Sequence, residues 1–423
     1  MHGAAGRVAG HRYWIAVVFF LLGMAPGFWV PILPNILKVR GLEWLIPIAF
    51  MAPPLASILS PLMFGASADQ RISAEKLLGI LSLAGAGGLF MAFFALDRNW
   101  HWGWFVGFLF LNTLISAPMW SLLSTIGLTA LEEPGKTFPI YRAFATIGWV
   151  VSGFVVSFVL FSDDSPVSGM AASVVRVGVG LLAFLLPRTP PRGEAHHGWK
   201  SAFGLDALAI FRDRDNRVYF WAMFLLSIPL AAFYMYTPRQ LQDLGTQKVA
   251  WLMTLGQWGE IVALLVLAGV MLRCRIKSVL IFAILCAVAR YAFFAIAGHT
   301  NEGWWMIPGI ALHGICFTFF FITGQIFLDR RVEPGLKAQA QALLQLVSFG
   351  FGSLLGAGVV GVLYYLMIDE RGLQWGGWAG FWWLLTAMCV AAGIVFVAGY
   401  KGTPAGGSPA GPAKEPEAPK ARE

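Results

Sequence analysis

The sequence predicts an all-α membrane protein: twelve transmembrane helices arranged as two six-helix, pseudo-symmetric halves. Three observations carry that prediction. Of the 423 residues, 58% are hydrophobic and only 12% charged, where a soluble domain is roughly a quarter charged. Apolar runs of about 18 residues or more, long enough to cross a bilayer, recur from end to end. Short strings also recur at a single offset of about 200 residues: Ala92-Phe93-Phe94-Ala95 as Ala292-Phe293-Phe294-Ala295, Trp104 as Trp304, and Glu133-Pro134-Gly135 as Glu333-Pro334-Gly335. The composition excludes a disordered or nucleic-acid-binding chain, so the net charge of +8 needs a membrane explanation.

The runs lie at 13–37, 44–66, 77–96, 102–128, 141–162, 168–186, 218–238, 250–272, 278–298, 304–328, 338–366 and 377–400. The first follows a short basic segment (Arg7, Arg12) as a signal peptide would. It runs too long for one and has no small-x-small cleavage site before Pro31 and Pro34, so it reads as a retained helix. The longest internal polar stretch, Pro187 to Arg217, separates six runs from six and reads as a linker. The expected organisation is therefore a half at 1–186, a linker at 187–217, a half at 218–400 and a disordered tail at 401–423, rich in Pro, Gly, Ala, Lys and Glu. An offset spanning six helices, an even number, gives the halves parallel topology. Most of the 30 Lys and Arg fall on the side shared by both termini, which places both termini and the linker in the cytoplasm. The four cysteines sit in or beside apolar runs, so no secreted disulfide framework is expected.

An ionised group in the bilayer is costly unless it faces water or a partner, so the polar residues inside the runs are the functional candidates. Glu260 is the only carboxylate inside any run, and Gln257 lies one turn before it on the same face. The pair offers a proton-binding carboxyl beside an amide for a polar solute; the alternative is a protonated Glu in a structural hydrogen bond. Arg142, Thr146 and Trp149, at i, i+4 and i+7, line one stripe of the fifth helix with a cation, a hydroxyl and a flat ring. His313 and Phe317, one turn apart and followed by Thr318, add a titratable and an aromatic ring, or a structural donor on an apolar face. Arg290 reads equally as a coupling residue or as a structural ion-pair partner, for which Glu260 is a candidate. Arg176 has no evident partner in the sequence. Asn112 with Pro118, and Gln341 with Gln345, are cavity-lining or interhelical residues. The series Gly350, Gly352, Gly356, Gly358 and Gly361 reads as close helix packing that permits rocking, since no strand precedes it as a phosphate loop would require. No metal-spaced His/Cys cluster and no nucleophile elbow appears, so neither an enzyme nor a metal or cofactor is expected.

Six plus six helices with a cytoplasmic linker resemble the major facilitator superfamily. The loop Gly65-Ala-Ser-Ala-Asp69-Gln70-Arg71 is similar to its Gly-x-x-x-Asp-Arg/Lys signature, with Gln70 at the first basic position. Gly65 would permit close helix approach, while Asp69 and Arg71 would serve capping and charge pairing in gating. A narrower resemblance follows from Arg142-Ala-Phe-Ala-Thr146-Ile147-Gly148, similar to the Arg-x-Trp-Gly-Thr-Ile-Gly of bacterial nucleoside:proton symporters. It extends through Asn112-x5-Pro118, Gly204-Leu205-Asp206-Ala207, Gln257-x-x-Glu260, Ala289-Arg290 with Phe293-Phe294-Ala295, and Ala338 to Gln341 with Gly350-Phe351-Gly352.

The resemblance implies solute-binding positions at Arg142, Thr146, Trp149, Gln257, Glu260 and Phe317. The chain departs from the family at Ala231 and Tyr234, where polar amides are expected, and at His313 and Thr318, where a tyrosine and an aspartate are expected. Loss of the aspartate leaves Glu260 to carry the proton. The reading is a proton-coupled importer of nucleosides or a related ring-bearing polar solute, working by alternating access in a bacterial inner membrane. A sugar:proton symporter and a non-transporting solute sensor are the alternatives. Partners are the solute, protons and lipid, with no nucleic acid; the sequence says nothing of protein partners.

Overall fold

A computed structural model describes residues 2–68, 72–131, 133–190, 203, 205–333 and 336–402, and among these there is no strand. Among the described residues ten helices are long and apolar enough to cross a membrane, and two further stretches, Tyr13–Gly27 and Val167–Ala183, are apolar but shorter, so the expected twelve stands as ten full-length spans and two short ones. We number them α1 (His2–Gly27), α2 (Ile46–Ala68), α3 (Ala74–Asp97), α4 (Trp102–Ala130), α5 (Thr137–Val159), α6 (Val167–Ala183), α7 (Arg214–Asp243), α8 (Val249–Arg273), α9 (Ile276–Thr300), α10 (Gly303–Asp329), α11 (Gln339–Met367) and α12 (Gly377–Gly399).

Two boundaries differ from the sequence expectation, each for a local reason. The run 13–37 is not one helix: α1 ends at Gly27, a turn follows, and a separate short helix spans Leu33–Val39. Pro31 and Pro34 cannot donate to a helix ladder, and Pro34 is accepted only because it falls in the first turn of the new helix. The linker is not wholly irregular either. Leu205–Arg212 forms a 3-10 helix, and α7 begins already at Arg214 because Asp213 caps it, its carboxylate accepting from the Asn216 amide at 2.9 Å. Pro118 interrupts α4 as its missing N–H requires, dividing it into Trp102–Ser116 and Met119–Ala130. The tail beyond residue 402, with Asp69 and Arg71 of the α2–α3 loop, lies outside the described residues.

Packing repeats after six helices. In the first half α1 packs on α5 and α6, α3 on α4 and α6, and α2 on α4; in the second, α7 packs on α11 and α12, α9 on α10 and α12, and α8 on α10. The halves meet along two equivalent seams, α2 with α11 and α5 with α8. Small residues make the close approaches. A Cβ on Gly148 would lie 2.0 Å from the Phe20 carbonyl oxygen of α1, and one on Gly314 would lie 2.1 Å from the Glu260 amide of α8. The α11 glycines do pack closely, Gly352 and Gly356 against α7 and Gly358 and Gly361 against Met51 and Pro47 of α2. Apolar side chains such as Val262, Leu265 and Leu272 of α8 point outward, as a lipid solvent allows.

Candidate functional site

The α5 stripe and the α8 pair face each other across one seam. Arg142 lies in the second turn of α5; it is exposed, and its guanidinium sits 5.9 Å from the centre of the Trp120 ring of α4. Thr146 and Trp149 follow on the same stripe, half-buried. Trp149 meets Tyr234 of α7, ring centres 6.0 Å apart, which joins the two halves. The Tyr234 hydroxyl accepts a hydrogen bond from Gln257 Nε2 at 3.0 Å. Gln257 Oε1, buried, has no hydrogen-bond partner among the described residues, so one acceptor of the amide is left for a donor. Glu260, half-buried one turn on, is within electrostatic reach of Arg142 on the other half.

His313 and Arg290 form a second layer behind Tyr234. The His313 ring lies flat on Phe233 (3.7 Å, 5°) and edge-on to Tyr234 at 5.5 Å. Its Nδ1 is 2.8 Å from Arg290 Nη1. A guanidinium only donates, so Nδ1 accepts and the ring proton sits on Nε2. Arg290, 2% exposed, also donates to the Tyr291 hydroxyl and to Cys316 Sγ (3.3 Å). Its partners are thus a ring nitrogen, a hydroxyl and a sulfur. The ion pair with Glu260 that the sequence suggested does not form, because Arg290 on α9 reaches α10 and α7 and Tyr234 stands between. Both charges act on the Tyr234 hydroxyl.

Phe317 stacks on Phe321 (5.4 Å) and meets Phe349 of α11 at 6.2 Å. Thr318 is fully buried, its hydroxyl without a hydrogen-bond partner among the described residues, at the start of a π-turn, Thr318–Ile322. Such turns locally re-aim side chains and are frequent at functional sites.

Arg176 on α6, which the sequence left unexplained, does in the first half what Arg290 on α9 does in the second, although the two helices are not equivalent in the repeat. It donates to Asn112 Oδ1 (2.6 Å), to the Ser116 hydroxyl and to Met119 Sδ (2.9 Å) of α4. Asn112 is therefore an interhelical partner of Arg176. Ser116 and Cys316 stand one repeat apart, so in each half a buried arginine braces the same turn of the same helix. Gly65 lies within α2, and Asp69 and Arg71 lie outside the described residues. Gln341 Nε2 donates to the Gln325 carbonyl at 2.8 Å.

Sequence reading missed the contacts that close the face opposite the termini. Glu43, before α2, accepts from Arg239 Nε of α7 at 2.6 Å and from the Tyr364 hydroxyl of α11 at 2.5 Å. Arg239, 1% exposed, also pairs with Asp243 at 2.6 Å. Arg239 and Glu43 fell just outside the hydrophobic runs. The spacing of Arg239 and Asp243, i and i+4, was the one available signal.

The family described as nucleoside H+ symporter matches residues 12–404. YegT of Escherichia coli strain K12 is 32% identical over 364 residues, 82% of this chain and 84% of its own length. Nucleoside permease NupG of the same strain is 27% identical over 365 residues, 82% and 85% of the two chains. The crystal structure of nucleoside transporter NupG superposes with a TM-score of 0.79 at 24% identity, covering 92% of this chain and 98% of that one. It is a likeness of fold.

Proposed function

The chain belongs to the nucleoside H+ symporter family, and from that premise we propose that the nucleoside binds between Trp149 of the first half and the Tyr234, Gln257 and Glu260 group of the second, with Glu260 as the proton carrier. The protein is a multi-pass transporter that imports nucleosides together with protons. The observation that carries the site is the Gln257 acceptor, without a partner among the described residues, held one turn before Glu260 by Tyr234, which Trp149 meets across the seam. A nucleoside presents a flat ring and several hydroxyl or amino donors. Trp149 supplies a stacking face, Gln257 Oε1 an acceptor, and Thr146 and Arg142 further polar groups on the same stripe. Phe317 extends the aromatic wall on α10. His313 and Thr318 act from behind it, the first by fixing Tyr234 through edge-to-face contact.

Protonation of Glu260 would alter the attraction between the halves. Ionised, Glu260 is drawn to Arg142 across the seam; neutral, it is not, and the Coulomb difference biases one arrangement of the halves over the other. Gly65, Asp69 and Arg71 belong to gating in this reading, and Arg290 to positioning His313. Both termini are cytoplasmic, the membrane is the bacterial inner membrane, and the face closed by Glu43 and Arg239 is then the outer one; the Lys and Arg asymmetry supports this.

The test is competition of labelled uridine and adenosine uptake by unlabelled nucleosides, free bases and hexoses in cells expressing the chain. Nucleosides compete and hexoses do not. Hexose competition without nucleoside competition would replace this reading by a sugar:proton symporter.

A further inference from the structure

The ends of α5 and α8 at the face opposite the termini are joined by a helix cap that crosses between the halves. The first amides of a helix have no partner within it, and the residue preceding α8, Lys248, supplies no side-chain cap. The other half supplies it. Asp163, in the α5–α6 loop, accepts from the Ala250 amide at 2.7 Å and from Ser157 Oγ at 2.8 Å, and Ser157 Oγ accepts from the Trp251 amide at 3.1 Å. Lys248 Nζ donates to the Ser157 carbonyl at 2.6 Å and lies 4.4 Å from the centre of the Phe161 ring. The Trp251 ring is held edge-on by Phe154 and Phe158, each at 6.0 Å. The end of α5 is shaped for this contact by a π-turn, Val155–Val159, and by Phe161 in the left-handed region at φ +49°.

From the cap the seam runs inward along one face of α5. Ser157, Gly153 and Trp149 succeed one another at intervals of four residues. A Cβ on Gly153 would lie 2.4 Å from Thr254 Cγ2 and 2.8 Å from the Ala250 carbonyl oxygen, so the helices touch there. One turn further in, Trp149 meets Tyr234, which holds Gln257. Eight residues at the helical rise put the cap about 12 Å from Trp149.

We propose that Asp163 is a positioning residue for transport: by capping α8 from the other half it docks Gln257 and Glu260 opposite Trp149 when this face is closed, and it releases them when the face opens. This rests on the reading that the solute binds between α5 and α8.

The cap also responds to pH. Burial, the largest influence, pushes the Asp163 carboxyl above the usual carboxylate range against its bonds to Ala250 and Ser157 and the nearby Lys248, and Asp164 adds to the rise. When the face opens, the carboxyl meets water and returns to its ordinary value. The closed face therefore binds the proton more tightly. Closure is favoured as pH falls through the raised value, fully so below the ordinary one, and the bias is lost as pH rises through the raised value. Acid at this face pulls it shut over the solute.

The test uses the full chain in liposomes, with uridine as probe and Val249, 1% exposed beside the cap, replaced by cysteine in a Cys274→Ser background for labelling by a membrane-impermeant maleimide. Asp163→Ala removes the cap. Labelling quickens and the uridine KM rises by about fivefold, the change in an equilibrium that loss of one helix cap produces. Asp163→Asn keeps the acceptor and mimics the protonated acid, so labelling stays slow while its dependence on the pH at this face disappears. Ser157→Ala shifts labelling in the same direction as Asp163→Ala by less, and serves if that variant fails to fold. Parent-like labelling and KM in Asp163→Ala, or an unchanged pH profile in Asp163→Asn, overturns the proposal. A Trp149→Ala chain with the parent KM would instead overturn the site, leaving the labelling contrast to judge the cap.

Discussion

Glu260 and Trp149 make different demands on the molecule and fail differently when changed. A proton carrier is needed for uphill movement but not for exchange, so Glu260→Gln is expected to abolish proton-driven accumulation of uridine while counterflow of preloaded uridine persists. Undiminished accumulation would remove Glu260 from coupling. Trp149 offers contact rather than charge. Its replacement by Ala is expected to raise the uridine KM about fivefold, the worth of one aromatic face, with the pH profile unchanged; an unaltered KM would dismiss the stacking wall. Arg176 and Arg290 are of a third kind, cations spending their donors on neutral neighbours inside the membrane. The sequence showed their position and their cost. It did not show that Asn112, Ser116, His313 and Cys316 were placed to receive them, because those partners come from other helices.

At the scale of the helix, the contacts that aim the site are made by missing side chains. Gly314 of α10 admits the backbone of α8 at Glu260, where a methyl group would meet the Glu260 amide at 2.1 Å and the Gly256 carbonyl oxygen at 2.1 Å. Backbone cannot move aside as a side-chain tip can. Gly314→Ala is expected to destabilise the protein by about 1–3 kcal/mol, read as a lowered Tm in detergent, and to impair uridine uptake by displacing Glu260. A Tm and uptake equal to the parent's would show that α8 and α10 are not held by this approach. The break after α1 follows from Pro31 and Pro34, which were visible in the sequence although the run 13–37 was apolar throughout; hydropathy marks what tolerates lipid, and proline marks where the ladder ends.

For the whole molecule, the face opposite the termini is shut by two clasps, the Glu43, Arg239 and Asp243 cluster at one seam and the Asp163 cap at the other. Arg239 is buried between two carboxylates, and reversing its charge strands both. Arg239→Glu is expected to hold this face open at a cost of about 3–5 kcal/mol to the closed state, seen as loss of uridine accumulation, and Glu43→Arg in the same chain is expected to restore part of it. Failure of the second change to rescue would mean that Arg239 serves α7 alone through Asp243. Orientation is read separately. Reporter fusions after residues 190 and 401 should both report the cytoplasm, and an outer signal at either would invert the assignment of the faces.

The all-helical membrane fold was legible because a bilayer imposes one requirement on every span, apolar side chains over a length that satisfies its own backbone, although two of the twelve expected spans, Tyr13–Gly27 and Val167–Ala183, are shorter than the rest. That requirement acts locally, so it is written locally. Six of the proposed binding positions were also legible, from spacing within one helix and from family resemblance: Arg142, Thr146 and Trp149 on one stripe, Gln257 with Glu260, and Phe317. What joins one helix to another was not. Tyr234 looked like a lost amide until it was found between Trp149 and Gln257; Arg290 read equally as a coupling residue or an ion-pair partner, and α9 turns it toward His313; Glu43 and Asp163 fell just outside the hydrophobic runs, and the halves come together on them. These are contacts between residues distant in the chain, and whether two such residues meet depends on helix rotation and packing, which only the assembled structure decides.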